Sequence, residues 1–159
     1  RHDMNDRFFG WVAYTLMRSE RKDAPGDAYR PFDLDQTHNL TLVAQYKITP
    51  NWEAGVRWRY VTGNPTTPVE RADYDSDAGE FVPVYGKPNS GRMDAFHQLD
   101  VRTDYHFVFD AWKLTLYAEV QNAYNRANPE EVEYRYDYQD SEVEAGLPII
   151  PSIGARGEF

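Results

Sequence analysis

The chain has 159 residues, enough for one domain, and carries a formal charge of −9 from 17 basic and 26 acidic side chains. That acidity, with no basic stripe anywhere, argues against nucleic acid as a partner. The absence of cysteine excludes disulfides and thiolate metal centres, and no apolar run reaches the roughly 18 residues that a membrane-spanning helix needs.

A charged fraction of 27% ordinarily marks a soluble protein. A transmembrane β-barrel escapes that inference, because only every second residue of each strand faces lipid and the average hydropathy stays low. The aromatic content of 15%, with 12 Tyr and 4 Trp, suits the interfacial girdles of such a barrel. The sequence opens at Arg1 without an initiator Met or a signal peptide, which reads as a processed product or a piece of something larger.

Six segments alternate with the period of a two-faced strand. In the first, around Gly10 to Arg18, Val12, Tyr14 and Leu16 are assigned outward and Ala13 and Thr15 inward. The second sets Leu40, Leu42, Ala44, Tyr46 and Ile48 against Asn39, Thr41, Gln45 and Lys47. The third, Trp52 to Val61, sets Trp52, Ala54, Val56, Trp58 and Tyr60 against Glu53, Arg57 and Arg59. The fourth sets Leu99, Val101, Tyr105 and Phe107 against Gln98, Asp100, Arg102, Asp104 and His106. The fifth sets Trp112, Leu114, Leu116, Ala118 and Val120 against Lys113, Thr115, Tyr117, Glu119 and Gln121. In the last, Ile153, Ala155 and Phe159 oppose Ser152, Arg156 and Glu158. A carboxy-terminal aromatic closing an alternating strand is the usual finish of a bacterial outer-membrane β-barrel.

The connections alternate in length. Long ones at 22–36, 64–96 and 125–148 are separated by tight ones at 49–51 and 109–111. Long and short edges then lie at opposite ends of one sheet, as do the extracellular loops and periplasmic turns of outer-membrane barrels. Tyr46, Trp52, Tyr105, Phe107, Trp112 and Phe159 fall toward the tight turns, and Tyr14, Tyr60 and Tyr124 toward the loops, which predicts two girdles. With Phe159 on the periplasmic side, parity forbids the alternating stretch Glu131 to Tyr138 from crossing independently. It reads as a hairpin-like extension of the outer loop.

The acid lies in the loops. Lys22 and Arg30 face Asp23, Asp27, Asp33 and Asp35 in the first, three basic residues face six acidic ones in the second, and two face seven in the third. Solvation of the loops accounts for this; bridging by divalent cations to surface lipopolysaccharide is the functional alternative. In the second loop Asp73-Tyr-Asp75-Ser-Asp77-Ala-Gly79-Glu80 resembles the opening of an EF-hand, but Ala78 stands where the sharp turn wants Gly and Val84 where a closing bidentate acid is needed. No metal site or cofactor is assigned. His2, His38, His97 and His106 have no metal-ligand spacing, and His97 and His106 face opposite ways. His106 near Asp104 offers an acid–base pair, but no Gly-x-Ser-x-Gly and no Cys accompany it, so catalysis is not expected.

The inward row Arg57, Arg59, Asp100, Arg102, Asp104, Lys113 and Glu119 is the candidate binding surface. It serves either as a cross-strand ladder that stiffens a wet lumen or as a contact for a plug or solute.

Read in order, Thr37-His-Asn-Leu-Thr-Leu-Val-Ala-Gln-Tyr, Gly91-Arg-Met-Asp-Ala-Phe-His-Gln-Leu-Asp-Val-Arg, Leu116-Tyr-Ala-Glu-Val-Gln-Asn-Ala-Tyr-Asn and Leu147-Pro-Ile-Ile-Pro-Ser-Ile-Gly-Ala-Arg-Gly-Glu-Phe resemble the final strands of TonB-dependent outer-membrane receptors. Gly157 departs from the terminal signal of many barrels, which places an apolar or aromatic residue there; Phe159 keeps the assembly signal. The resemblance implies an all-β, antiparallel transmembrane barrel of about 22 strands, of which residues 1–159 form the carboxy-terminal part with about six crossings. It also implies an amino-terminal plug coupled to the TonB system and import of a siderophore, cobalamin, carbohydrate or similar solute. An open six-stranded sheet leaves unpaired edges in lipid, so the remaining strands and the plug are expected from another segment or chain. The competing expectations are a complete small outer-membrane barrel with a structural or adhesion role, and a soluble lipocalin-like binding barrel.

Overall fold

The computed structural model describes residues 2–5 and 7–159, with side chains from Arg7 onward. In chain order, β1 (His2–Asn5) and β2 (Phe8–Leu16) are followed by a two-residue pair, β3 (Glu20–Arg21) and β4 (Arg30–Pro31). Then come the long strands β5 (His38–Thr49) and β6 (Trp52–Val61), and the loop strands β7 (Pro65–Thr66), β8 (Val69–Asp75), β9 (Glu80–Tyr85) and β10 (Gly91–Arg92). The chain finishes with β11 (Phe96–Val108), β12 (Lys113–Gln121), β13 (Pro129–Tyr134), β14 (Ser141–Ala145) and β15 (Ile150–Glu158). All pairings are antiparallel and the fold is all-β.

The long strands form one seven-stranded meander in the order β1-β2-β5-β6-β11-β12-β15. Alternation gives six of these; β1 is the seventh and lies outside any segment read from the sequence. The sheet is open, with β1 and β15 as its edges, and the described residues do not close into a cylinder.

Period-two patterning explains why these segments become strands, and the register explains why their faces merge. Ala44 pairs with Val56, Val56 with Val101 and Val101 with Val120. One step toward the tight turns, Ala54 pairs with Thr103, Thr103 with Ala118 and Ala118 with Ile153. Val12 and Tyr14 lie opposite Leu42 and Leu40, so the phase assigned to the first segment is correct. The result is one continuous apolar face, and it is not buried. Leu42, Val56, Val101, Tyr105, Leu116 and Ile153 are all exposed, and among the described residues Val61 alone of the branched aliphatic and aromatic side chains is buried. The buried polar residues are Asp35, Asn89, Asp100, Thr115, Asn122 and Asn128. That inverts the arrangement of a soluble domain, in which apolar side chains fill the interior.

The two ends of the sheet differ as the loop lengths foretell. Pro50 and Asn51 join β5 to β6, and the turn between β11 and β12 is closed by Phe109 N–H donating to the Trp112 carbonyl at 2.9 Å. Phe109, Trp112 and Phe159 stack there in series, with centroids 4.7 and 5.8 Å apart. Trp52 donates its indole N–H to Thr103 Oγ1 at 2.7 Å, and the Thr103 hydroxyl passes on to the Glu53 carbonyl at 3.0 Å, so neither leaves a bare polar group on the apolar face. At the loop end Tyr14 meets His38 at 2.8 Å and Tyr124 meets His97 at 2.7 Å.

Each long connection carries its own small sheet, β3–β4, β7–β10 with β8–β9, or β13–β14. The stretch Glu131 to Tyr138 contributes to β13 and its turn, paired with β14 and separate from the main sheet, as its reading as a loop extension requires.

Candidate functional site

The polar face gathers the candidate residues, because the register places them side by side. Asp100 lies opposite Arg57, and Arg102 opposite Glu119. Arg57 donates from Nε at 2.9 Å and from Nη2 at 2.7 Å to one oxygen of Asp100. The other oxygen of that carboxylate accepts from Gln98 Nε2 at 2.6 Å and from the Asn122 backbone N–H at 3.1 Å. Asp100 is 6% exposed, so these four bonds are what make its burial affordable.

Arg102 has all three of its guanidinium nitrogens engaged. It forms a fork onto Asp104, Nε at 2.9 Å and Nη2 at 2.7 Å, reaches Glu119 through Nη1 at 3.2 Å, and lies 4.2 Å from the centre of the Tyr117 ring. The Tyr117 ring in turn covers Gly154 of the edge strand, where a Cβ would overlap it. Lys113 pairs with Glu158 at 2.8 Å, and Arg156 reaches Glu158 at 3.5 Å. Arg59 meets no carboxylate among the described residues; its guanidinium sits 5.4 Å over the Phe96 ring. Phe159 lies outside this face, stacked on Trp112 and fully exposed.

Six of the seven row residues are therefore joined into ion pairs, and Arg59 is not. Asp104 is not the partner of His106. The imidazole instead shares a 2.9 Å hydrogen bond between Nδ1 and buried Thr115 Oγ1, and Nε2 lies 3.4 Å from Glu53. A groove of about 420 Å³ runs between these groups, lined among others by Glu53, Arg57, Arg102, His106, Glu119 and Arg156.

Sequence reasoning missed the residues that tie this face to the loops. Asn122 adopts φ +52°, and its side-chain amide donates to the carbonyls of Arg126 at 2.8 Å and Leu147 at 3.1 Å while its oxygen accepts from Arg126 N–H at 3.0 Å. Asn125, at φ +51°, accepts from Ile149 N–H at 2.9 Å, and Asn128 accepts from His97 N–H at 3.0 Å. The spacing of three asparagines just past a strand end, a residue that tolerates left-handed backbone, was the available signal.

The first two loops are clasped by Asp35, which accepts from Ser19 N–H at 2.6 Å and from Arg92 Nη2 at 2.8 Å. The Ser19 amide, with Arg92 and Thr37 behind it, holds the Asp35 carboxyl below the usual range in spite of its burial. Asp33 is likewise lowered, first by the Asn89 amide at 2.6 Å. The EF-hand-like stretch forms the β8–β9 turn. Asp75 caps the amides of Asp77 at 2.9 Å and Ala78 at 3.2 Å, and Asp73 pairs with Arg71, so the carboxylates do not converge. No cluster of metal-ligating side chains occurs among the described residues. His2 lies outside the residues whose side chains are described.

No protein-family model, curated protein or solved structure matches this chain.

Proposed function

We propose that this chain is part of the wall and outer loops of a β-barrel in the bacterial outer membrane, belonging to a TonB-dependent importer and having no catalytic role. The observation that carries the reading is the unburied apolar face. A mainly apolar face running from Val12 and Tyr14 of β2 through Leu42, Val56, Val101 and Leu116 to Ile153 of β15 needs a cover of matching extent. Lipid supplies one without further protein, and the wet, charged opposite face suits a lumen.

In this reading the unpaired edges β1 and β15 meet the remaining barrel strands, and the polar face meets a plug that engages the TonB system. The acidic loops meet lipopolysaccharide across divalent cations. The solute is a siderophore, cobalamin, a carbohydrate or another scarce nutrient, as the resemblance of the strand sequences implies.

These 159 residues have no cysteine, so single cysteines placed in them report on facing once any cysteine elsewhere in the full-length protein is replaced. Spin labels at Val56, Val101 and Leu116, in the full-length protein reconstituted in liposomes, are expected to be relaxed by oxygen, and labels at Gln45, Arg57 and Arg156 by a water-soluble nickel chelate. Uniform access by the nickel chelate sinks the membrane reading. An antibody to the 125–148 loop is expected to detect, in outer membranes, a heat-modifiable band several times heavier than 18.5 kDa. A band at the chain's own mass removes the importer and leaves a small barrel.

A further inference from the structure

The charged row divides into side chains whose donors are used and side chains whose donors are open. Arg102 spends Nε, Nη1 and Nη2 on Asp104 and Glu119. Arg57 spends Nε and Nη2 on a single oxygen of Asp100, and its Nη1 donates to no group among the described residues. Arg59, two residues along β6 and on the same face, donates to none. Both side chains are exposed. Residues two apart on a strand stand about 7 Å apart at the backbone, within reach of one small ligand held between two long side chains.

Arg59 is also oriented. The carbon of its guanidinium sits 5.4 Å over the Phe96 ring, and its N–H groups meet no acceptor among the described residues. Thr41 and Gln98 flank Arg59 as its cross-strand neighbours and add polar groups beside it. An arginine held by an aromatic ring with its hydrogen-bonding edge vacant is matched by a planar anion that can accept two parallel N–H bonds.

We infer that Arg57 and Arg59 form a carboxylate-binding pair on the polar face, at the loop-side rim of the groove. The ligand is a carboxylate that bridges Arg57 Nη1 and the free edge of Arg59. It is supplied either by a small-molecule carboxylic acid or by an Asp or Glu of the segment that covers this face. The inference stands on the polar face alone and does not require lipid on the other, so it survives or fails separately from the membrane reading.

The test uses the full-length protein in detergent, with citrate as the small-molecule probe and phenylglyoxal as the arginine reagent, read by peptide mass mapping. Citrate is expected to slow modification of Arg57 and Arg59 at least tenfold while leaving Arg71, on the β8–β9 hairpin, unaffected. In that case Arg59→Gln and Arg57→Gln each weaken citrate binding at least tenfold by calorimetry, and Arg59→Lys, which keeps charge but loses the fork, recovers only part of it. Protection of both arginines without citrate, relieved when the acidic residue crosslinked to them is changed to its amide, assigns the carboxylate to the protein itself. Rapid modification of both residues with and without citrate overturns the inference, as does equal protection of Arg71. An unchanged far-ultraviolet circular-dichroism spectrum confirms that each variant is folded before it is scored.

Discussion

The sheet and the loops of this chain are stabilised in opposite ways. In the sheet, apolar side chains are exposed and the backbone ladder with its cross-strand charge pairs carries the order. In the loops and at their bases the interior is polar, built from Asp35, Asn89, Asn122 and Asn128, each of which accepts or donates several hydrogen bonds. The contrast teaches that the loops hold their form by satisfying their own polar groups, whereas the sheet depends on whatever meets its apolar face.

That contrast can be broken at single residues. The largest effect is expected from Asn122→Ala, which removes three hydrogen bonds and puts a β-carbon residue without a compensating side chain at positive φ. A loss of about 4 kcal/mol follows at about 1 kcal/mol per bond plus about 1 for the left-handed backbone. Denaturant unfolding in detergent, followed by tryptophan fluorescence, measures it. Next is Val101→Arg, near the middle of β11 on the apolar face. In a bilayer it is expected to cost about 3 kcal/mol and in short-chain detergent much less, and equal costs in both media would erase the distinction between the two faces.

Asp35→Asn follows at about 2 kcal/mol, since Arg92 loses its buried carboxylate while the Ser19 amide keeps an acceptor. Its signature is faster hydrogen exchange at Ser19 with no change in β11. A smaller, graded effect is expected from acid. The folded carboxyls of Asp35 and Asp33 sit below their unfolded values, so their contribution is complete above the ordinary aspartate range and is lost as pH falls through the lowered values. Exchange at Ser19 should therefore accelerate below about pH 4 while the β6–β11 ladder stays protected. Arg71→Ala, which breaks an exposed pair with Asp73, should leave unfolding unchanged.

The strands were legible because each face repeats with period two over nine or more residues in β2, β5, β6, β11, β12 and β15. Alternation gives the phase of Val12, Tyr14 and Leu16 without any knowledge of their neighbours. It does not give register across a long loop. The pairing of His106 with Glu53 depends on how β11 aligns with β6 across residues 62–95, so proximity in sequence points instead to Asp104. The row of charged residues was legible as a row, but its division into spent and open donors depends on distances that composition does not carry. β1 was missed because four residues are too few for a period to show. The loop hairpins were mostly invisible too, since pairs as short as Glu20–Arg21 with Arg30–Pro31 are held by contacts such as Phe32 N–H to the Ser19 carbonyl at 2.9 Å.

The meander order of the sheet has a kinetic consequence. Every long strand pairs only with the long strands before and after it in the chain, so no pairing has to skip over an intervening strand. The hairpins β5–β6 and β11–β12, closed by the shortest turns, should form first. Joining them across residues 62–95 then costs little extra in equilibrium terms, since each doubling of loop length adds only roughly 0.6 kcal/mol, but it must wait for a slower chain search. Assembly is then expected to run from local hairpins to their joining, an order that loop insertions of very different size leave intact.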